Sequence, residues 1–188
     1  MKRIGILGGT FDPPHLGHLI IAEEVRLALK LGEIWFIPSY TPPHKDKAKT
    51  AAEHRMNMLK LAIKNNSSFQ MNTIEVERLG KSYTFDTMEA LNNDFPENEF
   101  YFIIGADMVE YLPNWNRVDE LINLVNFVGV GRPGYKLDSA YSVRTVDIPM
   151  IDISSTFIRN RLAKNQTVNY LVPETVYAYI KEKQLYGN

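Results

Sequence analysis

Cysteine is absent from the 188-residue chain. That excludes disulfides, a thiolate nucleophile and cysteine-ligated zinc. A basic excess is also missing: 21 Lys and Arg stand against 22 Asp and Glu, a formal net charge of −1. General nucleic-acid binders usually carry a positive stripe. The short run Lys45-Asp46-Lys47-Ala48-Lys49 reads instead as a solvated loop, so no nucleic-acid partner is expected. No apolar run approaches the ~20 residues that span a bilayer. Gly8, Asp12 and the prolines and histidines that follow interrupt any signal-peptide pattern early. The expectation is a cytoplasmic protein without membrane association.

What is present is globular in character. Hydrophobic residues make up 45% and charged residues 23%, enough for a substantial core in one domain over residues 1–188. Short apolar runs alternate with helical periodicity. Strands are predicted at 4–8, 33–37 (ended by Pro38), 69–76, 100–104, 125–130 and 143–148. Helices are predicted at 16–31 with Gly32 as terminator, at 51–65, at 84–93 capped by Ser82 or Thr84, and at 118–124. Two more start at a Ser154 or Ser155 cap, running through Leu162, and at Pro173, running to Lys183. This alternation implies an α/β fold: a Rossmann-like, doubly wound parallel sheet with helices on both faces.

In such a sheet, ligands lie beyond the carboxyl ends of the strands. Several polar segments fall there: Gly8 to His18, Ser39 to Lys47, Gly105 to Asp107, Arg132, and Ser154 to Arg159. Gly8 and Gly9 suit a tight turn that lets a phosphate approach the backbone. Thr10 and Asp12 are small polar residues able to donate, cap or orient. His15 and His18 lie at i and i+3 on one helix side. With no cysteine and only His44 and His54 besides, a zinc site is disfavoured. Gly17, between the histidines, is read as leaving room for a ligand, with the imidazoles hydrogen-bonding phosphate. Ser154 to Thr156 put hydroxyls at a helix N-terminus, and Arg159 follows one turn after Ser155. These could hold phosphate, or be an ordinary cap with an exposed arginine. Lys45 could swing over phosphates from its loop. Asp107 either binds ribose hydroxyls or caps the next helix. Trp115, in Pro113-Asn114-Trp115-Asn116, is either a packed lid or a stacking platform.

Gly-Gly-Thr-Phe-Asp-Pro-Pro-His-x-Gly-His at 8–18, with Ile-Ser-Ser-Thr-x-Ile-Arg at 153–159, resembles the nucleotidylyltransferase superfamily. Through Pro42-Pro43-His44-Lys45, Ser82-Tyr83-Thr84, Phe102 to Asp107 and Trp115, the chain is similar over its length to bacterial nicotinate mononucleotide adenylyltransferases. The resemblance implies attack of nicotinate mononucleotide on the α-phosphorus of ATP, with Mg²⁺ accompanying ATP and no protein side chain ligating it directly. It implies His15 and His18 on the ATP phosphates, Ser155 and Arg159 on the β,γ end, and Lys45 as a loop-borne partner. Gly105 and Asp107 would meet the adenosine, and Thr84 and Trp115 the nicotinate ring. Gly8, Gly9, Thr10, Phe11, Thr156 and Ile158 join the nucleotide side; Asp12, Tyr83 and Arg132 join the acceptor side. A homo-oligomer is left open. Phosphopantetheine adenylyltransferases share the first and last motifs, and a non-catalytic nucleotide sensor is the alternative from another class.

Overall fold

A computed structural model describes residues 1–41, 48–131 and 134–187. Six strands form one parallel sheet: β1 (Arg3–Gly9), β2 (Glu33–Pro38), β3 (Phe69–Met71), β4 (Glu99–Gly105), β5 (Asn126–Val130) and β6 (Val143–Val146). Their order, β3-β2-β1-β4-β5-β6, is that of the doubly wound Rossmann sheet. β1 pairs with β2 on one side and β4 on the other, and between β1 and β4 the direction of winding reverses. The crevice for a ligand therefore opens beyond Gly9 and Gly105.

The central strands are near-continuous apolar runs because both faces are covered. On one face Ile4, Ile6, Phe100, Phe102 and Phe127 meet Phe85, Met88 and Leu91 of α4 (Thr84–Asp94) and Val109 of α5 (Ala106–Tyr111). Leu121 of α6 (Val118–Leu121) closes the same layer. On the other face Leu7, Ile34, Phe36, Tyr101 and Val128 meet Ala22 and Val25 of α1 (Leu16–Ala28) and Leu59 and Ile63 of α2 (Ala52–Ile63). A third cluster joins Met58 of α2 to Ile158 of α7 (Ser155–Ala163) and to Val176 and Ile180 of α8 (Glu174–Glu182). Among the described residues, no helix is long and apolar enough to cross a membrane.

Several boundaries differ from the sequence expectation, each for a local reason. The segment expected as strand through residue 76 leaves the sheet at Met71. There the Asn72 Oδ1 accepts the Ile74 N–H (3.0 Å), an Asx turn that starts the short α3 (Ile74–Arg78). α1 stops at Ala28 rather than near Gly32. Lys30 takes the left-handed conformation (φ 51°), and the Leu31 N–H reaches back to the Arg26 carbonyl. α4 is entered through Tyr83 without a side-chain cap. The Ser82 hydroxyl, expected as that cap, instead accepts the Tyr40 N–H (3.1 Å) and ties down the exit of β2. β6 ends at Val146 and α6 at Leu121, both shorter than expected.

Beneath this β2 exit lies Glu75, buried, accepting from the Thr87 hydroxyl (2.8 Å), which in turn accepts from Arg78 (3.0 Å). Burial raises the Glu75 carboxyl above its ordinary range, and the Thr87 and Ser82 hydrogen bonds and Arg78 only partly oppose this. The folded state thus binds this proton more tightly than the unfolded chain does. The stability it confers is complete below the unfolded pKa of about 4.3 and is lost as pH rises through the folded value. Glu75→Gln should therefore raise the thermal midpoint at neutral pH, with the gain vanishing near pH 4 in a pH series of melts.

Candidate functional site

β1 runs straight to its end. Gly8 and Gly9 remain in the strand opposite Ile37 and Pro38, and neither has positive φ. The expected glycine turn begins one residue later, and its left-handed residue is Phe11 (φ 50°). The Phe11 ring is buried at 1% exposure, between Phe36 and the edge of His18, so only its backbone is available to a ligand. Gly8 is exposed, leaving bare backbone at the cleft floor beside Phe102.

His15 is the N-cap of α1 and His18 its third residue; their rings stack at 3.7 Å and 23°. The His15 N–H donates to the Nδ1 of His18 (3.2 Å). An accepting Nδ1 carries no proton, so the neutral ring holds its proton on Nε2 and presents it as a donor. Gly17, expected to leave room for a ligand, also has a structural use. A Cβ there would lie 3.0 Å from the His15 Nδ1, so the missing side chain makes room for the imidazole.

The second signature segment docks onto this turn. Ser154 caps α7, its hydroxyl accepting the Phe157 N–H (3.2 Å). Ser155 donates its hydroxyl to the Pro13 carbonyl (2.8 Å). Arg159 donates from Nη1 to the Asp12 carbonyl (2.7 Å) and from Nη2 to the Thr156 hydroxyl (3.0 Å). Ile158, expected at the nucleotide, is instead core. Its side chain has 0% exposure, and its N–H is taken by the Ser154 carbonyl, so neither faces a ligand.

Asp12, expected on the acceptor side, has its carboxylate buried among protein donors. Oδ2 accepts the Lys49 (2.9 Å) and Thr50 (3.4 Å) N–H groups, and Oδ1 accepts the Tyr186 hydroxyl. Arg55 is the functional neighbour that sequence reasoning missed. At 2% exposure, its Nη1 donates to the Thr10 carbonyl (2.7 Å) and the Ser39 carbonyl (2.8 Å), joining the ends of β1 and β2. Burial lowers the pKa of this guanidinium, and the Asp12 and Tyr186 side chains oppose that. A signal existed: Arg55 precedes Met58, Leu59, Ala62 and Ile63 at helical spacing, placing a charge on the apolar face of α2.

The remaining adenosine-side and acceptor-side candidates stand at helix starts and in the segment after β4. Gly105 is the N-cap of α5, so Asp107 is inside the helix's first turn and not its N-cap. Tyr83 and Thr84 stand at the start of α4. Trp115 packs edge-on against Phe102 (5.9 Å, 89°) and Phe127 (6.1 Å, 79°), and its Nε1 is buried without a partner. It is half-buried and packed, and part of its surface stays accessible. Lys45, His44 and Arg132 lie outside the described residues. Among the described residues, no group of three or more His, Asp or Glu is placed to hold a metal ion. The set offers N–H and guanidinium donors around exposed backbone, which suits an anion held at helix N-termini.

Arg55→Met would strip the Thr10 and Ser39 carbonyls of their shared donor while relieving a desolvated charge. A net loss of about 2 kcal/mol in urea unfolding is expected. An unchanged midpoint would mean those carbonyls find other partners.

Comparison with known proteins agrees with this geometry. A family model described as cytidylyltransferase-like matches residues 6–161. A protein of Oceanobacillus iheyensis named "Probable nicotinate-nucleotide adenylyltransferase" is 57% identical over 187 residues, covering 100% of this chain and 98% of that protein. The "Nicotinate-nucleotide adenylyltransferase" of Bacillus subtilis is 50% identical over 99% of both chains. Among solved structures, the Plasmodium falciparum nicotinic acid mononucleotide adenylyltransferase complexed with NaAD superposes with a TM-score of 0.84. Its identity is 24%, covering 99% of this chain and 98% of that one, a likeness of fold. With identity at this level along the whole length of its bacterial relatives, the chain belongs to the cytidylyltransferase-like family and, inside it, to the nicotinate-nucleotide adenylyltransferases.

Proposed function

We infer that this chain transfers the adenylyl group of ATP to nicotinate mononucleotide, releasing pyrophosphate and forming deamido-NAD. The observation that carries the reading is the physical union of the two signature segments. Ser155 and Arg159 grip the backbone of Asp12 and Pro13, immediately before the histidine pair, at the point where the sheet reverses its winding.

The chemistry asks little of the protein beyond placement. The acceptor's phosphate monoester is largely a dianion at neutral pH, its second pKa being about 6. It needs no general base. One of its oxygens forms a bond to the α-phosphorus of ATP while the bond from that phosphorus to the pyrophosphate oxygen breaks. The electron pair leaves with pyrophosphate. Charge accumulates on the non-bridging α oxygens and on the leaving group, and donors aimed there lower the barrier.

The neutral His18, with its proton on Nε2, is suited to that role, and the stacked His15 fixes its ring. Gly8, Gly9 and Thr10 supply close backbone approach. Arg159 and Ser155, with Lys45 a few residues after β2 in sequence, are proposed for the distal phosphates, and Gly105 and Asp107 for the adenosine. The start of α4 at Tyr83 and Thr84 provides N–H groups for an anionic ring substituent, and Trp115 provides an aromatic wall for the ring. ATP is proposed to arrive with Mg²⁺, which would screen the charge of its phosphates. The Asp12 carboxylate, committed to three protein donors, is not proposed as a ligand of that ion.

Pyrophosphate release with ATP, Mg²⁺ and, in separate reactions, nicotinate mononucleotide, nicotinamide mononucleotide and phosphopantetheine tests the assignment. Turnover with phosphopantetheine but not with nicotinate mononucleotide would overturn it. His18→Ala should lower kcat by about 10²–10³-fold with an unchanged circular dichroism spectrum. Gly17→Ala should separate stability from rate. Alanine favours the helix by about 0.5–1 kcal/mol, so the thermal midpoint holds or rises. The displaced His15 ring should nonetheless cut kcat about tenfold.

A further inference from the structure

The last turn of the described chain reaches into the site. After α8 the Leu185 N–H bonds the Ile180 carbonyl (3.0 Å), and Gln184 (φ 52°) and Tyr186 (φ 64°) both take the left-handed conformation, folding the chain back. α8 itself is fixed on α2. The Tyr179 hydroxyl meets the His54 Nδ1 (2.8 Å) and the Asn57 amide (3.2 Å), and the Thr175 hydroxyl bonds the Leu61 carbonyl (3.2 Å). From that footing the Tyr186 hydroxyl donates to Asp12 Oδ1, 174 residues earlier in the chain.

Asp12 is a junction. Its Oδ2 holds the Lys49 and Thr50 amides, at the returning end of the loop that carries Lys45 in sequence. Its carbonyl holds Arg159. Its carboxylate is almost fully buried, so each donor counts: an oxygen that loses one gains no water in exchange. We propose that Tyr186 is a positioning residue for adenylyl transfer, orienting the Asp12 carboxylate so that the returning loop and Arg159 are held in register with the histidine turn. Burial and the neighbouring Asp12 push the Tyr186 phenol above its usual range, which keeps it a donor at all working pH values.

This inference rests on the adenylyl-transfer reading, but its first readout does not. Tyr186→Phe keeps the ring in the third cluster and removes only the donor. Hydrogen exchange at the Lys49 and Thr50 amides should accelerate about tenfold, whatever the substrate. With ATP and nicotinate mononucleotide, kcat should fall about fivefold while KM for the mononucleotide stays within about twofold, since the contact bears on the phosphate end of the site. Incorporating 3-fluorotyrosine at 186, which retains ring and hydroxyl, should preserve both the amide protection and kcat. A lower thermal midpoint in Tyr186→Phe, with exchange and kcat unchanged, would make the contact a plain staple and overturn the proposal. So would equal losses in the phenylalanine and fluorotyrosine proteins, which would assign the effect to packing. If Tyr186→Phe does not fold, the fluorotyrosine protein decides alone. Fluorine strengthens the donor, so the two amides should exchange no faster than in the natural protein, and faster exchange would overturn the proposal. Altered exchange in a protein that does not turn over nicotinate mononucleotide would instead refute the proposed reaction and leave the contact standing.

Discussion

Backbone carbonyls in the irregular turn Thr10–Pro13 have no strand or helix to bond to, and the site is arranged around supplying them with donors. A buried carbonyl without a partner is costly, so the fold must bring side chains to it. Arg55 reaches from α2 to Thr10, Arg159 from α7 to Asp12, and Ser155 from α7 to Pro13. These three bonds draw two helices, distant in sequence, onto the end of the central strand. Just beyond the turn they hold, His15 and His18 stand at the start of α1. The shape of the site is thus a by-product of satisfying the turn.

This changes how the signature residues are understood. Arg159 and Ser155 read in the sequence as phosphate ligands, yet each already has a structural bond. A guanidinium has five N–H donors and can hold a carbonyl with one while offering others to an anion. Arg159 is therefore suited to two tasks, fixing the turn and, in the proposed reaction, presenting charge. Asp12, with its three donors engaged, belongs wholly to the first task. The histidines are proposed for the second, with the Nδ1 contact selecting which nitrogen of the neutral His18 ring carries the proton.

Much of the architecture was legible in the sequence because the central strands are buried on both faces and read as apolar runs. Ile4 to Leu7, Phe100 to Ile104 and the stretch ending at Val130 could hardly be anything else. The sheet's third strand was overextended because Asn72 diverts the chain through a side-chain hydrogen bond that no periodicity records. Within the site, the convergence of segments was legible, since it follows from strand order alone. The partners of each group were not. Nothing in the local pattern tells a serine that donates to a carbonyl from one awaiting phosphate, or a glycine that clears a ligand from one that clears a histidine. Arg55 was passed over because it sits among apolar residues on a face where only burial makes it informative. Tyr186 was invisible because its partner lies at the other end of the chain.

The tethers to Thr10, Asp12 and Pro13 all end on main-chain oxygen. Such bonds are indifferent to which side chain occupies the turn, so the segment can vary in composition without losing its path. The donors to Thr10 and Asp12 have less latitude: there a long, forked cation spans from α2 or α7 to the turn. Anyone grafting this turn onto another scaffold would have to carry Arg55 and Arg159, and the helices that aim them, along with it. The loop excised alone would be a peptide with nothing to hold its carbonyls, and it would lose the very curvature that makes it useful.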